Sequence, residues 1–183
     1  LHNDLLVLND TKVFPARLIG QRIGVPDFHS SPKNYRNTPI EVLLIKPLKE
    51  NLWKTLVKPS RKAHIGDHLS FGGGQLEGTV LGRGEKGIRK IRFKYQGNFH
   101  SILDHLGQVP LPPYINRPIE KLDWSRYQTI YAKNRGSVAA PTAGLHFTPE
   151  IFTRLKKKPI FCCKVTLHVG LGTFRPIFSK QVD

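Results

Sequence analysis

Apolar positions along the first half of the chain fall in short runs separated by turn-forming residues. Leu5-Leu6-Val7-Leu8 is an unbroken apolar run closed by Asn9-Asp10, the pattern of a buried strand. Lys12 to Ile23 alternates loosely, and Pro15 confines that stretch to an edge or a bulge because proline cannot donate to a ladder. Residues 27–39 are rich in Ser, Asn and Pro and predict a loop. Ile40 to Ile45 and Leu52 to Val57 flank Lys49-Glu50-Asn51 as a hairpin. His68 to Phe71 and Gln75 to Leu81 stand on either side of Gly72-Gly73-Gly74, and Ile88 to Tyr95 follows the glycine-rich turn at Gly82 to Gly87. Short strands with glycine turns and no long helical period predict a small antiparallel β-barrel of about six strands.

The pattern changes after Tyr95. Asn98 is placed to cap a short helix over Phe99 to Leu106, ended by Gly107. Pro110-Leu111-Pro112-Pro113 is stiff and extended and marks a boundary. Trp124 to Ala132 reads as helical. A second cap, Thr148 before Pro149, opens a helix that runs to about Lys158, where three lysines suit the negative end of the helix dipole. Ile160 to Val169 then reads as a β-branched strand before Gly170-Leu171-Gly172. Helix followed by strand is the repeat of an α/β layer, but one such unit does not complete a sheet.

Charge bears on partners more than on fold. Lys and Arg number 29 against 13 Asp and Glu, a formal +16, so a polyanionic partner is favoured over a neutral one. The excess is spread over both regions, and the sequence alone does not locate a footprint; a basic surface serving only solubility is the competing explanation. No run approaches the roughly 18 apolar residues of a membrane-crossing helix. The start lacks an initiating Met and any secretory pattern, which reads as a segment of something longer, and a cytoplasmic setting is expected. Cys162 and Cys163 are adjacent, so neither a disulfide framework nor a zinc site follows from them, and buried, inert thiols are expected.

Three stretches carry possible chemistry. Asn9 to Arg17 places charged and small polar groups at a strand end. Gly136 to Thr148 is a loop of small residues before a helix, where free backbone amides favour an anion and His146 is available as an acid or base. It lacks the Gly-Lys-Ser/Thr ending of a nucleotide phosphate loop. Val165 to Pro176 is a strand ending in Gly-x-Gly, the place where open α/β sheets hold ligands. Each has an ordinary structural reading as well, a strand corner, a tight loop and a core histidine at His168. No third ligand stands at a recognisable spacing from His146 and His168, so no metal site is expected.

Taken together, five segments resemble the S-adenosylmethionine:tRNA ribosyltransferase-isomerase family of queuosine biosynthesis. They are Asp4 to Gly20 (DLLVLNDTKVFPARLIG), Gly107 to Pro118 (GQVPLPPYINRP), Tyr127 to Tyr131 (YQTIY), Gly136 to Thr148 (GSVAAPTAGLHFT) and Val165 to Pro176 (VTLHVGLGTFRP). Their order follows the family through essentially the whole chain. The resemblance implies a β-barrel inserted into an α/β domain, with residues 1–13 beginning the α/β domain, 14–108 forming the barrel and 109–183 continuing an α/β domain that is incomplete here. It also implies transfer and isomerisation of the ribosyl moiety of S-adenosylmethionine onto a 7-aminomethyl-7-deazaguanine at the tRNA wobble position. Epoxyqueuosine is the product, and adenine and methionine are released. S-adenosylmethionine is then a consumed substrate, no separate cofactor is needed, and a monomer is expected.

The chemistry demands acid and base groups with pKa values near the working pH, for which histidine suits. His168 and His146 are therefore the catalytic candidates. Thr142, Gly144, Gly170, Gly172, Thr173 and Arg175 are expected to line the S-adenosylmethionine pocket, and Lys12 and Arg17 to meet RNA phosphate. Compared with the family, the chain lacks an N-terminal segment and a long C-terminal part, and Lys156-Lys157-Lys158-Pro159 replaces a glycine-containing turn. The chain alone is expected to be inactive or nearly so and marginally folded in its second half. The competing readings are an inactive remnant of the enzyme and a noncatalytic RNA-binding barrel that stacks bases on Trp53, Phe93 and Tyr95.

Overall fold

Strand period two is written plainly in Ile88–Tyr95, where Arg89, Ile91 and Phe93 turn inward and Lys90, Arg92 and Lys94 turn outward. A computed structural model of the protein describes residues 4–24, 38–112, 114–170 and 172. The chain divides into two compact units, one of Leu1–Phe14 with Leu111–Asp183 and the other of Pro15–Pro110.

In the second of these units six strands close a barrel: β3 (Arg17–Gly24), β4 (Thr38–Lys49), β5 (Leu52–Lys58), β6 (His68–Phe71), β7 (Leu76–Arg83) and β8 (Ile88–Tyr95). Around the barrel their order is β3-β4-β5-β8-β7-β6, and each neighbouring pair is antiparallel. The inside is filled by Leu18, Val42, Leu44, Leu69, Phe71, Val80, Ile91 and Phe93, each at most 2% exposed. β4 accommodates Pro47 because the register shifts between Leu44 and Lys46 and again between Pro47 and Lys49. Gly20 sits opposite Phe71, and a Cβ there would run into the Phe71 ring and the Ser70 carbonyl, so only glycine lets β3 and β6 approach this closely. Asp67, fully buried, accepts from Arg22 Nε at 2.8 Å, Arg22 Nη2 at 3.0 Å and the His64 amide at 2.7 Å, which ties β3 to the turn before β6.

Helix α1 (Phe99–Leu106) begins where expected, with Asn98 Oδ1 accepting from the Ser101 amide at 3.1 Å. Its Phe99 ring meets Trp53, Phe93 and Tyr95 at 5.6, 5.7 and 4.9 Å between centroids. That corrects the stacking-platform reading at Phe93. Phe93 is a barrel core residue at 2% exposure, Trp53 and Tyr95 are half-covered by α1, and the Tyr95 hydroxyl donates to Asn51 Oδ1 at 2.5 Å. Phe93 therefore has no free ring face for a base to stack on.

The other unit has two short parallel pairs. Strand β1 (Asp4–Asn9) pairs with β10 (Ile160–Val165), and β2 (Thr11–Val13) with β9 (Asn134–Ser137). Helix α3 (Pro149–Lys156) has Thr148 as its N-cap and ends before Lys158. Among the described residues of this unit, Leu8, Val13, Phe14, Leu111, Tyr127, Val138, Ala139 and Ala140 are the buried apolar ones. The fold is thus mixed α/β, a closed six-stranded antiparallel barrel with small parallel sheets and few helices.

Several sequence expectations shift here. The stretch from Lys12 to Ile23 is two strands, β2 and β3, broken at buried Phe14, Pro15 and Ala16. Residues 25–37 lie outside the described residues, so the loop over 27–39 is represented only by Thr38 and Pro39, which begin β4. The helix expected from Trp124 to Ala132 is a single turn, α2 (Asp123–Arg126). It stops because Gln128 is used elsewhere: its Nε2 donates to the Val13 carbonyl at 2.7 Å and its Oε1 accepts from the Val13 amide at 3.0 Å, extending the β2 edge with a side chain. The strand expected to Val169 ends at Val165. Cys162 and Cys163 are exposed rather than buried: Cys163 stands opposite Val7 on the uncovered Leu5 and Val7 face, and Cys162 lines an open groove on the other face.

Candidate functional site

Where β10 stops, the backbone continues in line but its hydrogen bonds pass to side chains. Asn9 forms a two-bond clamp on Leu167, its Nδ2 donating to the Leu167 carbonyl at 2.9 Å and its Oδ1 accepting from the Leu167 amide at 3.0 Å. An asparagine side chain has the same donor and acceptor pair as a peptide, so it prolongs the β1 edge by one virtual residue. Ser137 treats Val169 similarly, its Oγ accepting from the Val169 amide at 2.9 Å and donating to the Ala139 carbonyl at 2.7 Å. The Val138 amide also donates to the Val169 carbonyl at 3.1 Å.

Between these clamps stand Asp10 and Thr11. The Asp10 carboxylate, 5% exposed, accepts from Thr166 Oγ1 at 2.6 Å and Asn134 Nδ2 at 3.1 Å. The Thr166 bond, with smaller help from Asn134, Lys164 and Lys133, holds its pKa below the ordinary carboxylate value against the opposing effect of burial. Thr11, fully buried, places its hydroxyl 2.8 Å from His168 Nδ1. The other edge of the imidazole lies over Gly136, where a Cβ would come within 2.5 Å of Nε2. Consecutive residues of one strand end, Asn9-Asp10-Thr11, therefore hold Leu167, Thr166 and His168 in turn.

This arrangement brings together parts of all three stretches that the sequence singled out. His168 is oriented through Nδ1 and is exposed to solvent. Gly170 and Gly172 follow it with open space where a side chain would be. Thr173 and Arg175 lie outside the described residues. His146 closes the 3-10 turn Thr142–His146 and is exposed, and no bond joins it to His168. Thr142 is exposed at the start of the same turn, whereas Gly144 is buried with its α-carbon against the Tyr131 hydroxyl and Thr129. Its smallness serves that packing.

Lys12 points outward from β2. Arg17, on the barrel, has its Nε 3.6 Å from Glu41 Oε1, so its charge is already answered by a carboxylate. Asn9, Asp10, Thr11, Ser137 and Gln128 fall within segments the sequence singles out but received no role there, and Asn134 falls outside them. Their signal was present in the run Asn9-Asp10-Thr11 at a strand end, where polar side chains with no turn glycine must bond something nearby. Asp123 was missed as well. It receives a bidentate pair from Arg117, Nη1 to Oδ2 at 2.8 Å and Nη2 to Oδ1 at 2.6 Å, together with the Glu120 amide at 2.8 Å. The Arg117 bonds, then the Glu120 amide, bring its pKa down to about 2.

A groove of about 510 Å³ lies between α3 and the inner face of β10, lined by Leu8, Tyr131, Phe152, Leu155, Ile160 and Cys162 among others. It is mostly apolar and does not include His168. Among the described residues no group of three His, Cys, Asp or Glu side chains is arranged to hold a metal ion, and no helix is long and apolar enough to cross a membrane.

The family model for queuosine biosynthesis protein matches residues 1–183. Curated relatives named S-adenosylmethionine:tRNA ribosyltransferase-isomerase include one from Lachnoclostridium phytofermentans, 52% identical over 98% of this chain and 49% of its own length. Others are from Halothermothrix orenii, 49% identical, and Clostridioides difficile, 48% identical, with the same coverage of 98% and 49%. A crystal structure of S-adenosylmethionine tRNA ribosyltransferase from Thermotoga maritima is 34% identical over 92% of this chain and 42% of that one, with a TM-score of 0.38. The chain spans about half the length of the curated relatives it matches, and it belongs to the queuosine biosynthesis protein family.

Proposed function

We propose that this chain is the part of an S-adenosylmethionine:tRNA ribosyltransferase-isomerase that carries its barrel and the His168 strand end. The observation that supports this reading most is the oriented imidazole: His168 Nδ1 held by a buried threonine, at the mouth of a strand that runs into Gly-x-Gly. Ribosyl transfer from S-adenosylmethionine needs a proton taken from the carbon beside the sulfonium, a departing adenine and a neutral acceptor amine. With Nδ1 occupied, Nε2 is the atom through which His168 exchanges a proton. His146 is the second acid-base group. Gly170 and Gly172 let the substrate approach backbone, Thr142 adds a hydroxyl, and Thr173 and Arg175, which follow in the sequence, are assigned to the methionyl carboxylate. The acceptor is tRNA carrying 7-aminomethyl-7-deazaguanine at the wobble position, the product is epoxyqueuosine, and S-adenosylmethionine is consumed.

The test follows adenine release and the mass of the wobble nucleoside together. It compares this chain with a version joined to the remaining half found in the longer relatives. Turnover by the longer form, lost on His168→Ala, is expected. Turnover unchanged by His168→Ala would remove the assignment of the base, and no turnover by either form would remove the enzymatic reading.

A further inference from the structure

The outer face of the barrel carries its positive charge in a row. Lys46 on β4 stands opposite Lys54 on β5, Lys54 stands opposite Lys90 on β8, and Lys90 stands opposite Gly82, the residue before Arg83 on β7. Lys46, Lys54, Lys90 and Arg83 are all exposed. Neighbouring strands are ~4.8 Å apart, so this row crosses four strands over roughly 14 Å. Arg92 and Lys94 continue the outward positions of β8 beside it.

Like charges directly opposite on adjacent strands repel. Two such pairs in succession, Lys46 with Lys54 and Lys54 with Lys90, are therefore unfavourable to the barrel by itself. Among the described residues none of Lys46, Lys54, Lys90 or Arg92 forms an ion pair with a carboxylate. Glu77, opposite Lys94, is the acidic residue paired in register with this part of β8. Elsewhere the fold does neutralise its arginines, as at Arg22 with Asp67 and Arg117 with Asp123. The row is set by strand register, and Lys90 stands between buried Arg89 and Ile91 on β8.

We propose that this row, Lys46-Lys54-Lys90 with Arg83 and Arg92, is a track for the phosphate backbone of RNA. A linear polyanion fits the observation better than a compact one, because the charges form a line across strands rather than a ring around a pocket. The proposal rests on RNA being the partner in the reading above, and it moves the backbone contact from Lys12 and Arg17 to the barrel strands. Recognition of this kind reads charge spacing and not base identity.

The experiment measures binding of a fluorescein-labelled RNA hairpin to this 183-residue chain by anisotropy across a salt series, with no S-adenosylmethionine present. Lys54→Glu/Lys90→Glu is expected to weaken binding roughly tenfold or more and to flatten the dependence of log Kd on log salt by about 1.5, the counterion release of two phosphate contacts. Lys156→Glu/Lys157→Glu, with the same change in net charge at the C-terminal end of α3, is expected to weaken it roughly twofold. Lys54→Gln/Lys90→Gln guards against misfolding, and circular dichroism checks each variant. Equal losses in both glutamate variants, or an unchanged salt slope in the barrel variant, would overturn the track. So would tighter binding to vesicles containing phosphatidylserine than to the hairpin. Because this experiment reads binding alone, RNA binding through the row together with no turnover by the longer form would remove the enzymatic reading and leave the track standing.

Discussion

The Thr11 hydroxyl lies 2.8 Å from His168 Nδ1, with 157 positions of chain between them. Parallel pairing of β1 with β10 makes the contact possible, because both strands run out in the same direction and their next residues leave side by side. Thr11 is fully buried while His168 is exposed, so an exposed histidine is anchored at Nδ1 by a buried hydroxyl. Thr11→Val keeps the volume and removes the hydroxyl. It is expected to leave the fold intact at a cost of about 1 kcal/mol. Long-range proton–nitrogen spectra should then show the His168 ring losing its fixed tautomer, and Thr11→Ser should restore it. Identical ring nitrogen shifts in the wild-type and valine proteins would show that the bond does not orient His168.

Gly136 supplies the opposite wall of the same ring. A Cβ at this position would meet Nε2, Cε1 and Cδ2 of His168 at 2.5, 2.6 and 2.8 Å. The ring must swing away, and the swing breaks the Thr11 bond. Gly136→Ala is therefore expected to reproduce the spectroscopic effect of Thr11→Val. Combining the two should cost less than the sum of the separate effects, since both act on one contact. Fully additive stability losses in a double-mutant cycle would separate the two residues.

Much of the barrel was legible in the sequence, since alternation as regular as that of β8 leaves little choice of face and glycines mark its turns. The strand end at Val165 was not. Period and β-branching continue through Thr166 to Val169, and nothing in that run says that its partners will be the side chains of Asn9, Asp10, Thr11 and Ser137. The same blind spot produced the overlong helix after Asp123, because the role of Gln128 depends on Val13, 115 positions earlier. His168 was legible as a residue type at a strand end, whereas its orienting partner was not. Side chains that imitate backbone leave no periodic trace.

Asn9 allows that imitation to be tested directly. Asn9→Ala removes both bonds to Leu167 and leaves an amide and a carbonyl to find water. A loss of about 1–2 kcal/mol in urea unfolding is expected, together with faster hydrogen exchange at the Leu167 amide. Asn9→Asp should be intermediate, because a carboxylate still accepts from that amide but cannot donate to the carbonyl. If Leu167 exchanges no faster in the alanine variant, the clamp is not what holds the segment.

The pair Arg117 and Asp123 gives a dependence on pH whose sign follows from its geometry. Two guanidinium bonds and the Glu120 amide bring the Asp123 carboxyl down to about 2 in the folded protein. An unfolded aspartate titrates at about 3.9. A lowered folded value means that the unfolded chain takes up the proton first as pH falls. The pair's contribution is therefore complete above about pH 4 and is lost as pH drops toward about 2. Melting temperatures of the wild-type protein and of Asp123→Asn should differ at pH 6 and converge near pH 2. Because Arg117 is the largest cause of the lowering and burial opposes it, Arg117→Ala should return the Asp123 titration toward the ordinary range. A carboxyl resonance of Asp123 that titrates near 4 in the wild-type protein would contradict this account.

The barrel contains a harder test, since Asp67 is fully buried and serves three donors at once, Arg22 Nε, Arg22 Nη2 and the His64 amide. Removing one member of such a set does more damage than removing all of it, because the remaining groups keep their cost of burial and lose their partner. Asp67→Ala is expected to destabilise the barrel by about 3 kcal/mol. Arg22→Ala should cost less, since the arginine side chain is 27% exposed and the carboxylate keeps the His64 amide. The double variant should be no worse than Asp67→Ala alone. Urea unfolding of the four proteins decides it: independent, additive losses would mean that Arg22 and Asp67 each pack on their own account and that the bidentate contact contributes nothing to the barrel.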